Sequence, residues 1–192
     1  MTLPNNVVTV FHAVTKDLGL QLAWPVPPYP SPPHAKTSIL IWGGASSVGQ
    51  YALQILRHWG YQNLITTASP AHHTYLKSIG ASQVFDYRDS DISEKLTQVF
   101  PEGIPFLFDC IGSKFGSLAP LAKVAQEGAK VAVLLPVILI DATEKETPEY
   151  SMDAANHAEW ADGVEVRNVR THFYAEVSYA KSLLVYKLCR KC

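Results

Sequence analysis

Short β-branched and apolar runs alternate with stretches of helical periodicity along most of the chain. The runs lie at Ser38–Trp42, Asn63–Ala68, Gln83–Phe85, Pro105–Cys110, Lys130–Leu135 and Val164–Val169. Between the first two, Val48, Ala52, Ile55, Leu56 and Trp59 share one helical face, and weaker stripes occupy 71–79, 91–99 and 115–125. Strands that alternate with helices of this length need right-handed crossovers, which set the strands parallel in a sheet covered on both faces. The pattern predicts an α/β domain with a doubly wound parallel sheet, Rossmann-like, of about six strands.

Upstream, Val7, Val8, Val10, Phe11, Val14 and Leu18 fall near one face of a helix that Gly19 would end. Six prolines among residues 24–33 then rule out a helix or a central strand and predict an extended linker. The expected division is a helix in 1–20, a Pro-rich linker in 21–37, an ordered α/β domain in 38–174 and an atypical tail in 175–192. Residues 141–162 are polar, with Glu144, Glu146 and Glu149 close together, and read as a long solvated loop before the last strand.

Composition narrows the class. The chain has 192 residues, 47% of them hydrophobic, with 16 Lys and Arg against 17 Asp and Glu, a net charge of −1. That suits one globular domain whose core needs no staple. Near-neutral charge gives no general reason to hold nucleic acid or an anionic membrane, and neither is expected as a partner. The longest apolar run, Val131 to Ile140, is broken by Pro136 and falls short of the roughly 20 residues a membrane-spanning helix needs. The N-terminus has no basic segment leading into an apolar one, so a cytoplasmic protein is expected. Three cysteines are too few for a disulfide framework.

The first strand runs into Gly43-Gly44-Ala45-Ser46-Ser47-Val48-Gly49 and directly into the strongest helix. A strand, a glycine turn and a helix N-terminus aim backbone N–H groups and the positive end of a dipole at one spot, which suits a phosphate. Gly44 and Gly49 have P-loop spacing, but Gln50-Tyr51 stand where the lysine and hydroxyl should be, which removes nucleotide hydrolysis. The dinucleotide fingerprint fits Gly44, Ser46 and Gly49 with serine in the middle place. On these residues alone, a turn that binds no nucleotide stays open.

The end of the second strand adds a second signal. NAD sites carry an acid about 20 residues after the glycines to hold ribose hydroxyls. No Asp or Glu occurs from Leu18 to Phe85, whereas Lys36, Arg57, His58, His72, His73 and Lys77 lie in that stretch. A neutral to basic site of this kind favours NADP(H) over NAD(H).

The block Ile39 to Gln50, with Thr67-Ala68-Ser69-Pro70-Ala71-His72-His73, Ser78-Ile79-Gly80-Ala81 and Val84-Phe85-Asp86-Tyr87-Arg88, resembles the medium-chain dehydrogenase/reductases over roughly residues 3–174. It is most similar to their zinc-free fungal branch of trans-acting enoyl reductases and quinone-reductase-like proteins. The resemblance implies that Ser46, Ser47, Val48 and Gly49 face the cofactor pyrophosphate. Ser69, Pro70, Ala71 and His72 would surround the adenosine 2′-phosphate, with Tyr87 against the same end. Leu134 and Leu135 would line the nicotinamide side, and no metal is implied. Asp109-Cys110-Ile111-Gly112 is read as a structural turn first and a cofactor contact second.

The implied activity is an NADPH-dependent oxidoreductase delivering hydride to a polarised C=C, of an enone or an acyl chain, free or carrier-bound. Family members have a further N-terminal catalytic domain, and this chain begins at what resembles the helix joining the two domains. The catalytic domain is therefore expected to be absent, leaving apolar surface near Leu134, Leu135 and Val137 uncovered and favouring self-association or a partner chain. The catalytic residues are unknown. A non-catalytic NADPH-binding regulatory or docking module is the rival reading, and a remnant that binds nothing is a third.

Other motifs carry less. Cys189 and Cys192 form a C-x-x-C in the tail without the further ligands a zinc site needs, and His157 and His172 lack ligand spacing. No tyrosine has a lysine four residues later, which excludes the short-chain dehydrogenase pair, and no Gly-x-Ser-x-Gly elbow offers a hydrolase nucleophile.

Overall fold

The computed structural model describes residues 3–24, 32–143 and 146–171. The tail 175–192, with its C-x-x-C, and most of the proline-rich run lie outside the described residues.

Six strands form one parallel sheet: β1 (Ile39–Trp42), β2 (Leu64–Thr67), β3 (Gln83–Phe85), β4 (Phe106–Asp109), β5 (Lys130–Leu134) and β8 (Glu165–Val169), in the order β3-β2-β1-β4-β5-β8. This is the predicted Rossmann-like sheet, with each strand within a residue or so of its apolar run. The helices are α1 (Leu3–His12), α2 (Ser47–His58), α3 (His73–Ser78), α4 (Ile92–Val99) and α5 (Ala119–Val124). Turns of π-helix follow α1, at Ala13–Asp17, and precede α5, at Lys114–Leu118.

The strands read as unbroken apolar runs because both faces of the sheet are covered. On one face Ile39, Ile41, Leu64, Phe108 and Ala132 pack with Val10, Ala13 and Val14 of the N-terminal helix and with Ala52, Leu53 and Leu56 of α2. On the other, Leu40, Trp42, Ile65, Leu107, Val131 and Val133 pack with Ile92 and Leu96 of α4 and with Leu121 and Val124 of α5. The N-terminal helix thus shares the sheet's own core. The chain after it is tied down by two aromatic residues beyond α2. Tyr61 Oη accepts from Gln21 N–H and donates to Gln21 C=O, both at 3.0 Å, and Trp59 Nε1 donates to Ala23 C=O at 2.8 Å.

Residues 141–162 are not one loop. Past Leu135–Pro136, a cis peptide, the chain forms β6 (Val137–Ile140) and returns as β7 (Glu149–Ser151) in an antiparallel pair bulged between Ile138 and Ile140, with a 3₁₀ turn at Ala155–His157. A three-residue Glu-Tyr-Ser strand shows no period of its own, and its partner alone makes it a strand. Val137 is also corrected: it is fully buried in the second core cluster, not uncovered. Among the described residues no helix is long and apolar enough to cross a membrane.

Tyr61→Phe keeps the buried ring and strips both bonds from Gln21. Urea unfolding should report a loss of about 1–2 kcal/mol, a midpoint shift with little change in slope.

Candidate functional site

The site is built where β1 stops. Gly43 takes φ +84°, and the turn is fastened to the neighbouring strand: Gly43 N–H donates to Thr67 Oγ1 at 3.0 Å and Gly44 N–H to Thr67 C=O at 2.9 Å. Thr66 Oγ1 donates to Ile41 C=O at 2.6 Å, and a side chain on Gly44 would strike Thr66. Ser46, extended at φ −66° and ψ 158°, caps α2, its Oγ accepting from Gly49 N–H at 3.1 Å. Gln50 Nε2 donates to Ala45 C=O at 2.9 Å and closes the turn from the helix side.

A twelve-residue helix with no acid in its first turn therefore begins here. Its first four N–H groups have no intrahelical acceptor. Ser46 N–H donates to Gly43 C=O and Gly49 N–H goes to the cap, while no hydrogen bond among the described residues uses those of Ser47 and Val48. Two open donors at the positive end of a helix fit an anion such as a pyrophosphate. Ser47 Oγ accepts from Asn6 Nδ2 at 2.6 Å, so α1 reaches the rim of this turn. Val48 is half-buried against the core.

At the end of β2, Ser69 opens a 3₁₀ turn over Pro70–His72. Pro70, Ala71 and His72 are exposed and Ser69 half-buried. The next residue, His73, is structural: its Nε2 lies 3.0 Å from Ala68 C=O. Ala68 N–H donates to Phe85 C=O at 2.9 Å, which joins this turn to the end of β3 and to Tyr87, 47% exposed. The acid-free stretch ends one residue before Asp86, which belongs to the same corner. Composition could not reveal that Arg88 holds Asp86 in a two-point pair, with guanidinium nitrogens at 3.0 and 3.1 Å from the carboxylate.

On the other side of β1, Asp109 ends β4 fully buried. Its Oδ1 accepts from Ile111 N–H at 2.9 Å and Gly112 N–H at 3.1 Å, and its Oδ2 from Ser117 Oγ at 2.6 Å. Burial pushes its pKa up to about 6, against those three donors. This acid closes its own turn and leaves no oxygen for a ligand. Burial likewise pushes the Cys110 thiol up, with Asp109 adding to it and a hydrogen bond from Ser46 opposing it. The turn in turn orders its surroundings: Ile138 N–H donates to Gly112 C=O at 2.6 Å, and a Cβ on Gly112 would lie 2.6 Å from Leu134 C=O. Leu134 and Leu135 are half-buried, packed against opposite core clusters.

Ser46–Gly49 follow β1, Ser69–His72 follow β2 and Tyr87 follows β3, while Leu134 ends β5 and Leu135 follows it, so all lie at the carboxyl edge of the sheet, whose strand order reverses between β1 and β4. That boundary is where doubly wound sheets take ligands. Thr66-Thr67 and the Asp86–Arg88 pair also stand at these strand ends, and the motifs gave them no role. Buried threonines at a strand end look like ordinary β-formers, and only the fold shows what they fasten.

Gly49 is the residue whose size the turn cannot change. A Cβ there would meet Gly43 C=O and come within 2.8 Å of Gly44 Cα. Gly→Ala inside a helix ordinarily stabilises by about 0.5–1 kcal/mol. Here the sign should reverse, with Gly49→Ala costing on the order of 1–3 kcal/mol in chemical denaturation, because the obstacle is backbone and cannot rotate away.

Residues 47–135 match the family described as zinc-binding dehydrogenase. Among the described residues no three His, Cys, Asp or Glu are gathered as a metal site would require. A Saccharomyces cerevisiae protein of undescribed activity is 32% identical over 150 residues, 78% of this chain and 38% of that one. A trans-enoyl reductase of Aspergillus japonicus is 40% identical over 113 residues, 58% of this chain and 30% of that one. The chain therefore spans well under half the length of these relatives. In fold, the crystal structure of CurK enoyl reductase superposes with a TM-score of 0.69 at 17% identity, over 99% of this chain and 49% of the other. Shared sequence over residues 47–135, and a shared sheet around them, support a medium-chain dehydrogenase/reductase-like protein, enoyl-reductase-like over its Rossmann domain.

Proposed function

We propose that this chain is the NADP(H)-holding domain of an oxidoreductase of the enoyl- or quinone-reductase type. The observation that carries the reading is the start of α2: two unpaired amides, a serine cap and a glycine pressed on the turn, at the strand-order reversal. When bound, NADPH supplies the hydride that such enzymes add to a polarised C=C. The protein's own part is to bind and orient. Ser47 and Val48 N–H donate to the pyrophosphate, while Gly49 lets the helix approach closely enough for them to reach it. Ser69 and the 3₁₀ turn through His72 hold the 2′-phosphate, with Tyr87 against the adenosine. Leu134 and Leu135 keep water from the nicotinamide side. The substrate class that suits this chemistry is an enone or an α,β-unsaturated acyl group, free or carrier-bound.

The rival reading, a non-catalytic NADPH-binding module that docks to a partner or to itself, is favoured by exposed apolar side chains near the same edge. Phe115 is 74% exposed, with Ile111 exposed four residues before it, Ile140 and Tyr150 exposed on the β6–β7 hairpin and Met152 exposed just past it. Steady turnover of NADPH with a small enone by this chain alone, on the order of 10 s⁻¹, would exclude that module. The expected result for this stretch tested by itself is far slower, since it spans well under half the length of the relatives it matches and has correspondingly fewer groups to orient a substrate.

Calorimetric titration tests the cofactor itself. NADPH should bind at least about tenfold tighter than NADH, a gap of about 1.4 kcal/mol. Ser69→Asp should narrow or abolish that gap by setting an anion against the 2′-phosphate. Equal affinities in the unaltered chain would sink the 2′-phosphate assignment.

A further inference from the structure

The end of β3 carries a charged turn, the Asp86–Arg88 pair, to which the proposed function gives no role. Arg88 Nε donates to Asp86 Oδ1 at 3.1 Å, Arg88 Nη2 to Asp86 Oδ2 at 3.0 Å, and Arg88 N–H also to Oδ1 at 3.1 Å. The two partners sit differently, the Asp86 side chain 18% exposed and that of Arg88 57%. The carboxylate faces protein and the guanidinium faces solvent. Arg88 also lies over the Tyr87 ring, 5.8 Å from its centre. Arg88 holds the Asp86 carboxyl below its usual range, and the nearby His73 adds to this.

This turn leaves the strand next to the one that Ser69 follows. β2 and β3 run parallel as far as Thr67 and Phe85, Ala68 N–H donates to Phe85 C=O, and His73 of the Ser69 turn is near enough to act on Asp86. The acid that β2 lacks is thus supplied at the end of β3, where an arginine covers it. A guanidinium has five N–H donors, and Asp86 engages two of them. The remaining three stay available to a phosphate, on the solvent side of the pair.

Resting on the NADP(H) reading, we infer that Arg88 is the specificity-determining residue for a ribose 2′-phosphate. It masks the Asp86 carboxylate and offers its free N–H groups to the phosphate oxygens. Uncovered, Asp86 would repel that phosphate and could accept from a plain 2′-hydroxyl. One side chain therefore sets the sign of the site, and its loss should do more harm than the loss of the whole pair.

The test uses the full chain and two fragments that report the adenosine end alone, 2′,5′-ADP and ADP, by calorimetry, with NADPH and NADH alongside. The unaltered chain should prefer 2′,5′-ADP by about tenfold or more. Arg88→Gln should weaken 2′,5′-ADP by about tenfold or more while ADP stays within about threefold. Asp86→Asn added to Arg88→Gln should recover at least about threefold of that loss, since no bare carboxylate then remains. Arg88 is exposed, so thermal unfolding should be nearly unchanged. If the unaltered chain binds neither fragment, the NADP(H) reading falls and takes the inference with it. If it prefers 2′,5′-ADP and Arg88→Gln keeps that preference, the inference falls alone. Equal weakening of both fragments, or no recovery in the double variant, would mean that Arg88 only braces the turn and would likewise overturn it.

Discussion

Everything at the carboxyl edge of the sheet depends on how closely the first turn of α2 lies against the end of β1. At Gly49 there is room for a hydrogen and for nothing larger, because the carbonyl of Gly43 and the α-carbon of Gly44 already fill the space. That approach lets Ser46 act as both turn residue and cap. It also leaves the amides of Ser47 and Val48 at the mouth of the β1/β4 boundary, pointing their dipole at whatever binds there. A bulkier contact would push the helix start away and blunt the effect, since dipole interactions fade within the first turn.

The turn is rigid because both neighbours of β1 hold it. On the β2 side, Thr66 and Thr67 spend their hydroxyls on Ile41 C=O and Gly43 N–H. On the β4 side, Cys110 N–H donates to Trp42 C=O at 3.0 Å, and the Ile111 side chain lies over Gly43, 2.5 Å from where a Cβ would be. Asp109 then ties the β4 turn to itself with three hydrogen bonds, at the cost of a carboxyl that burial drives toward neutrality. Such self-satisfied buried acids stiffen a frame and leave the chemistry to the ligand.

Charge at the corner formed by the ends of β2 and β3 is arranged more finely than composition suggests. The long acid-free stretch is real, and the two nearest acids flank it at Asp17 and Asp86. Only Asp86 belongs to this corner, and it is already matched by Arg88 and neighboured by His73. Net charge near a strand end is therefore a poor guide until each carboxylate has been assigned its partner.

The alternation of apolar runs and helical stripes determined the fold class, since a parallel sheet buried on both faces leaves unbroken Val, Ile and Leu runs that a linear reading can find. The strand-turn-helix glycines likewise located the tight turn at the start of α2, because a close backbone approach demands residues without side chains. The β6–β7 hairpin was not legible, as Glu149-Tyr150-Ser151 becomes a strand only by pairing with Val137–Ile140. Nor was the burial of Val137, the fastening of the turn by Thr66 and Thr67, or the cover of Asp86 by Arg88. Each of these is a hydrogen bond or a contact between segments, and such partners are chosen by the way strands and turns meet in three dimensions, not by residue type or local period.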